Sequence, residues 1–144
     1  MKKEISLEAA NAIVNEFIGS NKEFLDKVEV VVGISRGGLV PAALLAAKID
    51  KPLVAAYINK QDEIFFDRQD WIKGKNVLVI DDIVRSGKTL WLLNKYLAKN
   101  AKPRKVSFFA LFKVKPLANK NYNLPSFSRE INEDIVFPWD YDRL

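Results

Sequence analysis

The chain has 144 residues, 49% of them apolar and 28% charged, a composition that fits one folded domain and excludes disordered or collagen-like chains. It contains neither cysteine nor histidine, which excludes disulfides, thiol nucleophiles, zinc fingers and histidine general bases. The net charge of +5 is local: Lys95, Lys99, Lys102, Arg104 and Lys105 lie together without an acid, and removing these five from the 23 basic side chains leaves 18 against 18 acidic ones. No nucleic-acid reading motif accompanies that patch, so it reads as a solvated helix end, and nucleic acid is not an expected partner.

Lys2 and Lys3 precede apolar residues in the manner of a signal peptide, but Glu8 and Glu16 interrupt the run. No apolar stretch approaches the roughly 20 residues that span a bilayer, so a cytoplasmic protein without membrane contact is expected. Ala9, Ala10, Ile13, Val14, Phe17 and Ile18 recur at helical spacing, with Ser6 placed to cap the helix and Gly19 to end it. Val28–Val32 predicts a buried strand running into Gly33-Ile34-Ser35-Arg36-Gly37-Gly38, and Leu39–Lys48 predicts a helix with Pro41 in its first turn. Leu53–Ile58 predicts a second strand, and the long polar connection Asn59–Lys75 reads as a functional lid.

Asn76–Ile80 predicts a third strand ending at Asp81-Asp82, followed by a helix from about Lys88 to Lys99. Val106–Phe112, apolar at successive positions, predicts a fourth, and the tail from Pro116 is rich in Asn, Pro and Ser. Strands alternating with helices predict an α/β fold, an open parallel sheet flanked by helices with right-handed crossovers. Ligands of such sheets sit at the carboxyl ends of the strands, where the loops after Val32, Ile80 and Phe112 all fall.

Arg85-Ser86-Gly87-Lys88-Thr89 looks like the end of a Walker A loop, but the glycine needed five residues before Gly87 is Asp82. The whole run from Val79 to Thr89 makes better sense together. An apolar strand delivers two carboxylates to its tip, and a small hydroxyl-bearing loop then opens a helix. Backbone N–H groups there, with the Ser86 and Thr89 hydroxyls, suit a phosphate at the positive end of the helix. Adjacent carboxylates suit vicinal hydroxyls or a hydrated Mg²⁺, whereas a plain helix cap leaves the pairing of like charges unexplained.

This run resembles the phosphoribosyl pyrophosphate signature of the type I phosphoribosyltransferases: apolar strand, Asp-Asp, two apolar residues, then Ser-Gly-x-Thr. Val32–Pro41 resembles the pyrophosphate loop of the bacterial xanthine-guanine members, and Lys115-Pro116 and Phe137-Pro138-Trp139-Asp140 follow in the same order. The resemblance implies that fold with a small C-terminal hood, Mg²⁺ as cofactor, phosphoribosyl pyrophosphate and a nucleobase as partners, and a homo-oligomer, dimer or tetramer. It implies Asp81, Asp82 and Arg36 as catalytic residues, with Asp82 on the metal. Ser35, Arg36, Gly37, Asp81, Asp82 and Arg85 to Thr89 (Ser86, Gly87 and Lys88 between them) would bind phosphoribosyl pyrophosphate. Lys115, Asp134 and Ile135 would meet the base, with Lys113 on the same strand face able to replace Lys115. It further implies a cis peptide at Ser35–Arg36; Lys60 and Arg68 fall in the expected lid, where they could meet pyrophosphate, and the resemblance assigns neither a role.

Two positions depart from the 6-oxopurine pattern. Arg85 stands where those members carry an Asp that handles the N7 proton, and Asp134 stands where an aromatic residue stacks on the base. Trp139 occupies a later position in the closing segment, where packing is the simpler role. Transfer of the phosphoribosyl group to a 6-oxopurine is therefore one expectation. A module of the same fold that binds phosphoribosyl pyrophosphate or a nucleotide without turnover is the other.

Overall fold

The computed structural model describes residues 2–115 and 127–140. In chain order the elements are β1 (Lys2–Glu4), α1 (Leu7–Ser20), α2 (Lys22–Lys27), β2 (Val30–Ser35), α3 (Leu39–Ile49), β3 (Leu53–Ile58) and β4 (Ile64–Phe66). There follow β5 (Asn76–Val84), α4 (Lys88–Tyr96), β6 (Lys105–Val114), β7 (Phe127–Ile131) and β8 (Asp134–Val136). Six strands form one sheet in the order β4-β3-β2-β5-β6-β7, parallel throughout except for the edge strand β4.

Successive side chains of a strand point to opposite faces, and here both faces are covered. Val31, Leu78, Ile80, Phe109 and Leu111 pack with Val14, Phe17 and Leu45 from α1 and α3. Val30, Val32, Val77, Val79, Phe108 and Ala110 pack on the other side with Leu90 and Leu93 of α4. Unbroken apolar runs such as Val30–Val32 and Val77–Ile80 therefore belong to strands with no solvent side. Ser6 caps α1 as expected, its side chain accepting the Ala9 N–H at 3.0 Å.

Four local expectations need correction. β5 does not stop at Ile80 but continues through both acids to Val84, because the long neighbour β6 still offers pairing partners, Phe112 to Ile83 and Lys113 to Val84. The polar connection 59–75 is not an open lid: β4 pairs back on β3, and Ile72 is fully buried in the core beneath α4. Only a short turn, in which Asn59 Oδ1 accepts the N–H groups of Gln61 and Glu63, projects toward the strand ends. The tail contains a further parallel strand, β7, while the part of the expected tail at 116–126 lies outside the described residues. The hood is not C-terminal alone, since β8 pairs in parallel with β1, Lys2 opposite Asp134 and Glu4 opposite Val136.

Candidate active site

At the carboxyl end of β2 the chain turns sharply into α3, and glycines let it lie flat on the tip of β5. A Cβ on Gly38 would stand 2.3 Å from the Ile80 carbonyl oxygen, and one on Gly37 would stand 2.1 Å from Asp82 Oδ2. Both approaches are closer than any side chain allows, so the sequence Gly37-Gly38 is dictated by the acidic strand beside it. The Ser35–Arg36 peptide is cis, as the resemblance implies for this loop. Arg36 is exposed on the loop and lines the cleft between β2 and β5.

The two acids of β5 are not equivalent. Ile80 and Ile83, three residues apart, both face the α1–α3 side, so the alternation of the strand breaks at Asp81-Asp82. Asp82 is turned inward and is only 8% exposed. Its Oδ1 accepts the Ile83 N–H at 2.7 Å and its Oδ2 accepts the Trp139 indole N–H at 3.0 Å. Asp81 is half-buried and lines the cleft, its Oδ1 accepting the Asp82 N–H at 2.9 Å. Desolvation, and then the charge of Asp82, push the Asp81 carboxyl well above the usual carboxylate range.

Beyond β5 the loop Arg85–Gly87 opens α4. Gly87 has φ 86°, the left-handed region that other residues rarely adopt, and Ser86 Oγ accepts the Lys88 N–H at 3.2 Å. Asp81, Ser86, Gly87 and Thr89 line a hollow of about 110 Å³ at this helix start, next to the main cleft of about 340 Å³. Lys88 Nζ lies 3.2 Å from Asp62 Oδ2, so the tip of the β3–β4 turn reaches the same cleft. Asp62 was not foreseen, because nothing in the sequence says that an acid in a polar connection will fold back onto the next loop but one.

The hood supplies the remaining groups. Arg85 Nη2 donates to Asp134 Oδ1 at 2.8 Å, and the same oxygen accepts the N–H of the buried Ile135 at 3.0 Å. The two departures from the family pattern thus meet each other. Partial burial raises the Asp134 carboxyl, but the hydrogen bonds from Arg85 and Ile135 and the charges of Arg85 and Lys2 outweigh it and hold the group below its ordinary range. Further along the sheet edge Lys113 and Lys115 both pair with Glu130, at 3.1 and 3.4 Å, and Lys113 is the more sheltered of the two. Trp139 stacks on Phe137 at 4.8 Å, so it packs as anticipated and also anchors Asp82. Arg68 lies over the Trp71 ring, and Lys60 is exposed on the turn; neither lines the cleft.

A hard cation fits this donor set. Among the described residues no three groups of the His, Cys, Asp and Glu kind come together, so two carboxylates would share the ion with ligand oxygens and water, the usual habit of Mg²⁺. A second hollow of about 310 Å³, between α1 and β7, has Phe17, Phe109 and Phe127 in its walls, and the carboxylate that lines it, Glu16, pairs with Arg129.

Xanthine-guanine phosphoribosyltransferase of Cereibacter sphaeroides is 33% identical over 129 residues, which spans 76% of this chain and 68% of that protein. The enzyme of the same name from Desulfotalea psychrophila is 30% identical over 126 residues, covering 76% and 69%. Among solved structures, the purine phosphoribosyltransferase of Pyrococcus horikoshii shares the fold with a TM-score of 0.81 at 23% identity, covering 96% of this chain and 94% of that one. A family model described as the phosphoribosyl transferase domain matches residues 4–144, and the chain belongs to that phosphoribosyltransferase family.

Proposed function

We propose that this protein transfers the 5-phosphoribosyl group from phosphoribosyl pyrophosphate to a 6-oxopurine, giving a nucleoside monophosphate and pyrophosphate. One observation carries the reading. The Ser35–Gly38 loop, the Asp81-Asp82 tip and the Arg85–Thr89 helix start border a single cleft, with the hood on its far side. These are the groups that a ribose bearing a phosphate at one end and a pyrophosphate at the other requires. The curated relatives, named for xanthine and guanine, supply the class of acceptor.

In this reading the helix start holds the 5′-phosphate through the backbone N–H groups of Arg85 to Thr89 and the Ser86 and Thr89 hydroxyls. Asp81, the acid open to the cleft, takes the ribose hydroxyls. Asp82, fixed from behind by Ile83 and Trp139, keeps lone pairs free toward the cation. Mg²⁺, when bound, offsets negative charge on the pyrophosphate, and the two carboxylates would hold it. As the bond from the ribose carbon to pyrophosphate breaks, Arg36 and the amides of the glycine loop stabilise the charge that develops on the leaving group. Lys115, or the more sheltered Lys113, and the backbone at Ile135 meet the base. The proposal places the enzyme in the cytoplasm and treats it as a dimer or tetramer, which sedimentation checks. No helix among the described residues is long and apolar enough to cross a membrane.

Pyrophosphate release from phosphoribosyl pyrophosphate, measured against a panel of purine and pyrimidine bases with Mg²⁺, tests the function. Turnover confined to pyrimidines, or absent with every base, would overturn it. The second reading, binding without turnover, is favoured by the Arg85–Asp134 ion pair at the place where the base is expected. Tight calorimetric binding of phosphoribosyl pyrophosphate with no turnover of any base would establish it instead.

A further inference from the structure

The acceptor end of the cleft has a charge pattern of its own. Arg85 is cationic at every accessible pH and can donate hydrogen bonds but not accept a proton. Its partner Asp134 is committed on the oxygen that faces it, to the guanidinium at 2.8 Å and to the Ile135 N–H at 3.0 Å, with Lys2 opposite in the β1–β8 pair. The next carboxylate along the sheet edge, Glu130, is claimed by Lys113 and Lys115, and both Asp134 and Glu130 are held below their ordinary range by these partners. Asp81 and Asp82 belong to the ribose end. Across the cleft Asp62 is tied to Lys88, and Arg36 adds another cation. Asp134 and Glu130, the described carboxylates nearest Arg85 at this end, are each paired with a cation, which makes them weak acceptors for a proton from an incoming ring.

A neutral purine that attacks through a ring nitrogen must lose a proton somewhere. We propose that Arg85, positioned by Asp134, makes this site select its acceptor by acidity, so that the ring enters as an anion after giving its proton to solvent. The inference rests on the phosphoribosyl-transfer reading above. The lone pair of the anionic ring nitrogen forms the bond to the ribose C1 while the bond from C1 to pyrophosphate oxygen breaks. Pyrophosphate leaves with that electron pair, and no protein group changes protonation. Arg85 offers its N–H groups to the electron-rich edge of the ring, a contact strongest with the anion.

The experiment compares guanine with 8-azaguanine, whose extra ring nitrogen makes it the stronger acid. Pyrophosphate release by the full chain is followed with saturating phosphoribosyl pyrophosphate and Mg²⁺ from pH 6 to 10. The expected kcat/KM for each base climbs about tenfold per pH unit until that base is ionised and is level above it. The break therefore moves to lower pH with 8-azaguanine, which exceeds guanine at pH 7 by about tenfold or more. In the double variant Arg85→Gln with Asp134→Asn, which removes both charges and keeps hydrogen-bonding amides, that preference shrinks toward parity. A break at one common pH for both bases, or an unchanged preference in the double variant, would overturn the selection by acidity and leave the transfer reaction standing. Absence of pyrophosphate release with both bases, and with hypoxanthine and xanthine, at every pH would overturn the reaction itself and this inference with it.

Discussion

The two ends of the cleft are built on different principles. At the phosphoribosyl pyrophosphate end the chain is held by backbone: glycines laid against carbonyl and carboxylate oxygens, a left-handed Gly87, and an acid pair near the end of a largely buried strand. At the acceptor end the groups are side chains drawn from the loop after β5, from the ends of β6 and β7 and from the three-residue β8, joined by ion pairs that are partly exposed, with Arg85 and Asp134 side chains 58% and 38% accessible. A site made of backbone tolerates few sequences, because almost every side chain collides with it. A site made of exposed ion pairs can be rewritten cheaply, since such pairs contribute little to stability. Substrate choice can therefore drift at one end while the other stays fixed.

The largest effect that would test this contrast is expected at Gly37. Its Cβ position coincides with the Asp82 carboxylate, which is pinned from the other sides by Ile83 and Trp139 and has nowhere to go. Gly37→Ala is expected to force the β2–α3 turn off β5, to cost about 1–3 kcal/mol in stability, and to abolish phosphoribosyl pyrophosphate binding. Urea denaturation and calorimetry measure the two losses. Normal affinity in Gly37→Ala would show that the close approach is incidental.

Next comes Asp81→Asn, whose two consequences have opposite signs. The folded-state pKa of Asp81 lies above its unfolded value, by desolvation first and the Asp82 charge second. Its contribution to stability is therefore fully present below the unfolded pKa and is lost as pH rises through the folded pKa. At neutral pH the wild type carries that penalty, and an amide removes it. Asp81→Asn is expected to gain on the order of 1 kcal/mol at pH 7 without metal, while losing Mg²⁺-dependent ligand binding. A drop in stability would mean that the carboxylate is tied more firmly than its surroundings indicate.

How much of this was legible in the sequence follows the same division. The acids and the helix start stood in one uninterrupted run and the glycines in another, because a strand tip and the loop after it are local in the chain, and local geometry shows in local sequence. The ends of β5 were misjudged because two acids look like a loop, whereas a neighbouring strand long enough to pair with them keeps them extended. β1 and β8 were missed because a pair of three-residue strands joined across almost the whole chain leaves no periodicity to read. Arg85 and Asp134 were each seen as a departure from pattern, but 49 residues separate them, and only the fold shows one partnership where the sequence shows two anomalies.

Trp139 tests the seam between the two ends. Phe at this position keeps the stacking on Phe137 but removes the indole N–H from Asp82 Oδ2, leaving a buried carboxylate oxygen short of a donor. Trp139→Phe is expected to cost about 1–2 kcal/mol in stability, since an unmet buried acceptor bears its full desolvation penalty. It is also expected to raise the KM for phosphoribosyl pyrophosphate more than that for the base. The opposite split would place Trp139 with the base and not with the acid pair.

The smallest stability effect belongs to the acceptor end, and its size is the point of the comparison. Asp134 has a folded-state pKa below its unfolded value: partial burial works against the charge, but Arg85, the Ile135 N–H and Lys2 outweigh it. Such a group stabilises the fold above its unfolded pKa, about 4 for an aspartate, and loses that contribution as pH falls through the folded value. Because its side chain is 38% exposed, solvent screening keeps the contribution small. Asp134→Asn is expected to cost less than about 1 kcal/mol at pH 7, with the variant and wild-type denaturation midpoints converging below about pH 4 and drawing closer in high salt. A loss as large as that of Gly37→Ala, or one that persists in acid, would mean that the ion pair holds the hood in place. The acceptor end would then be no freer to change than the backbone-built end beside it.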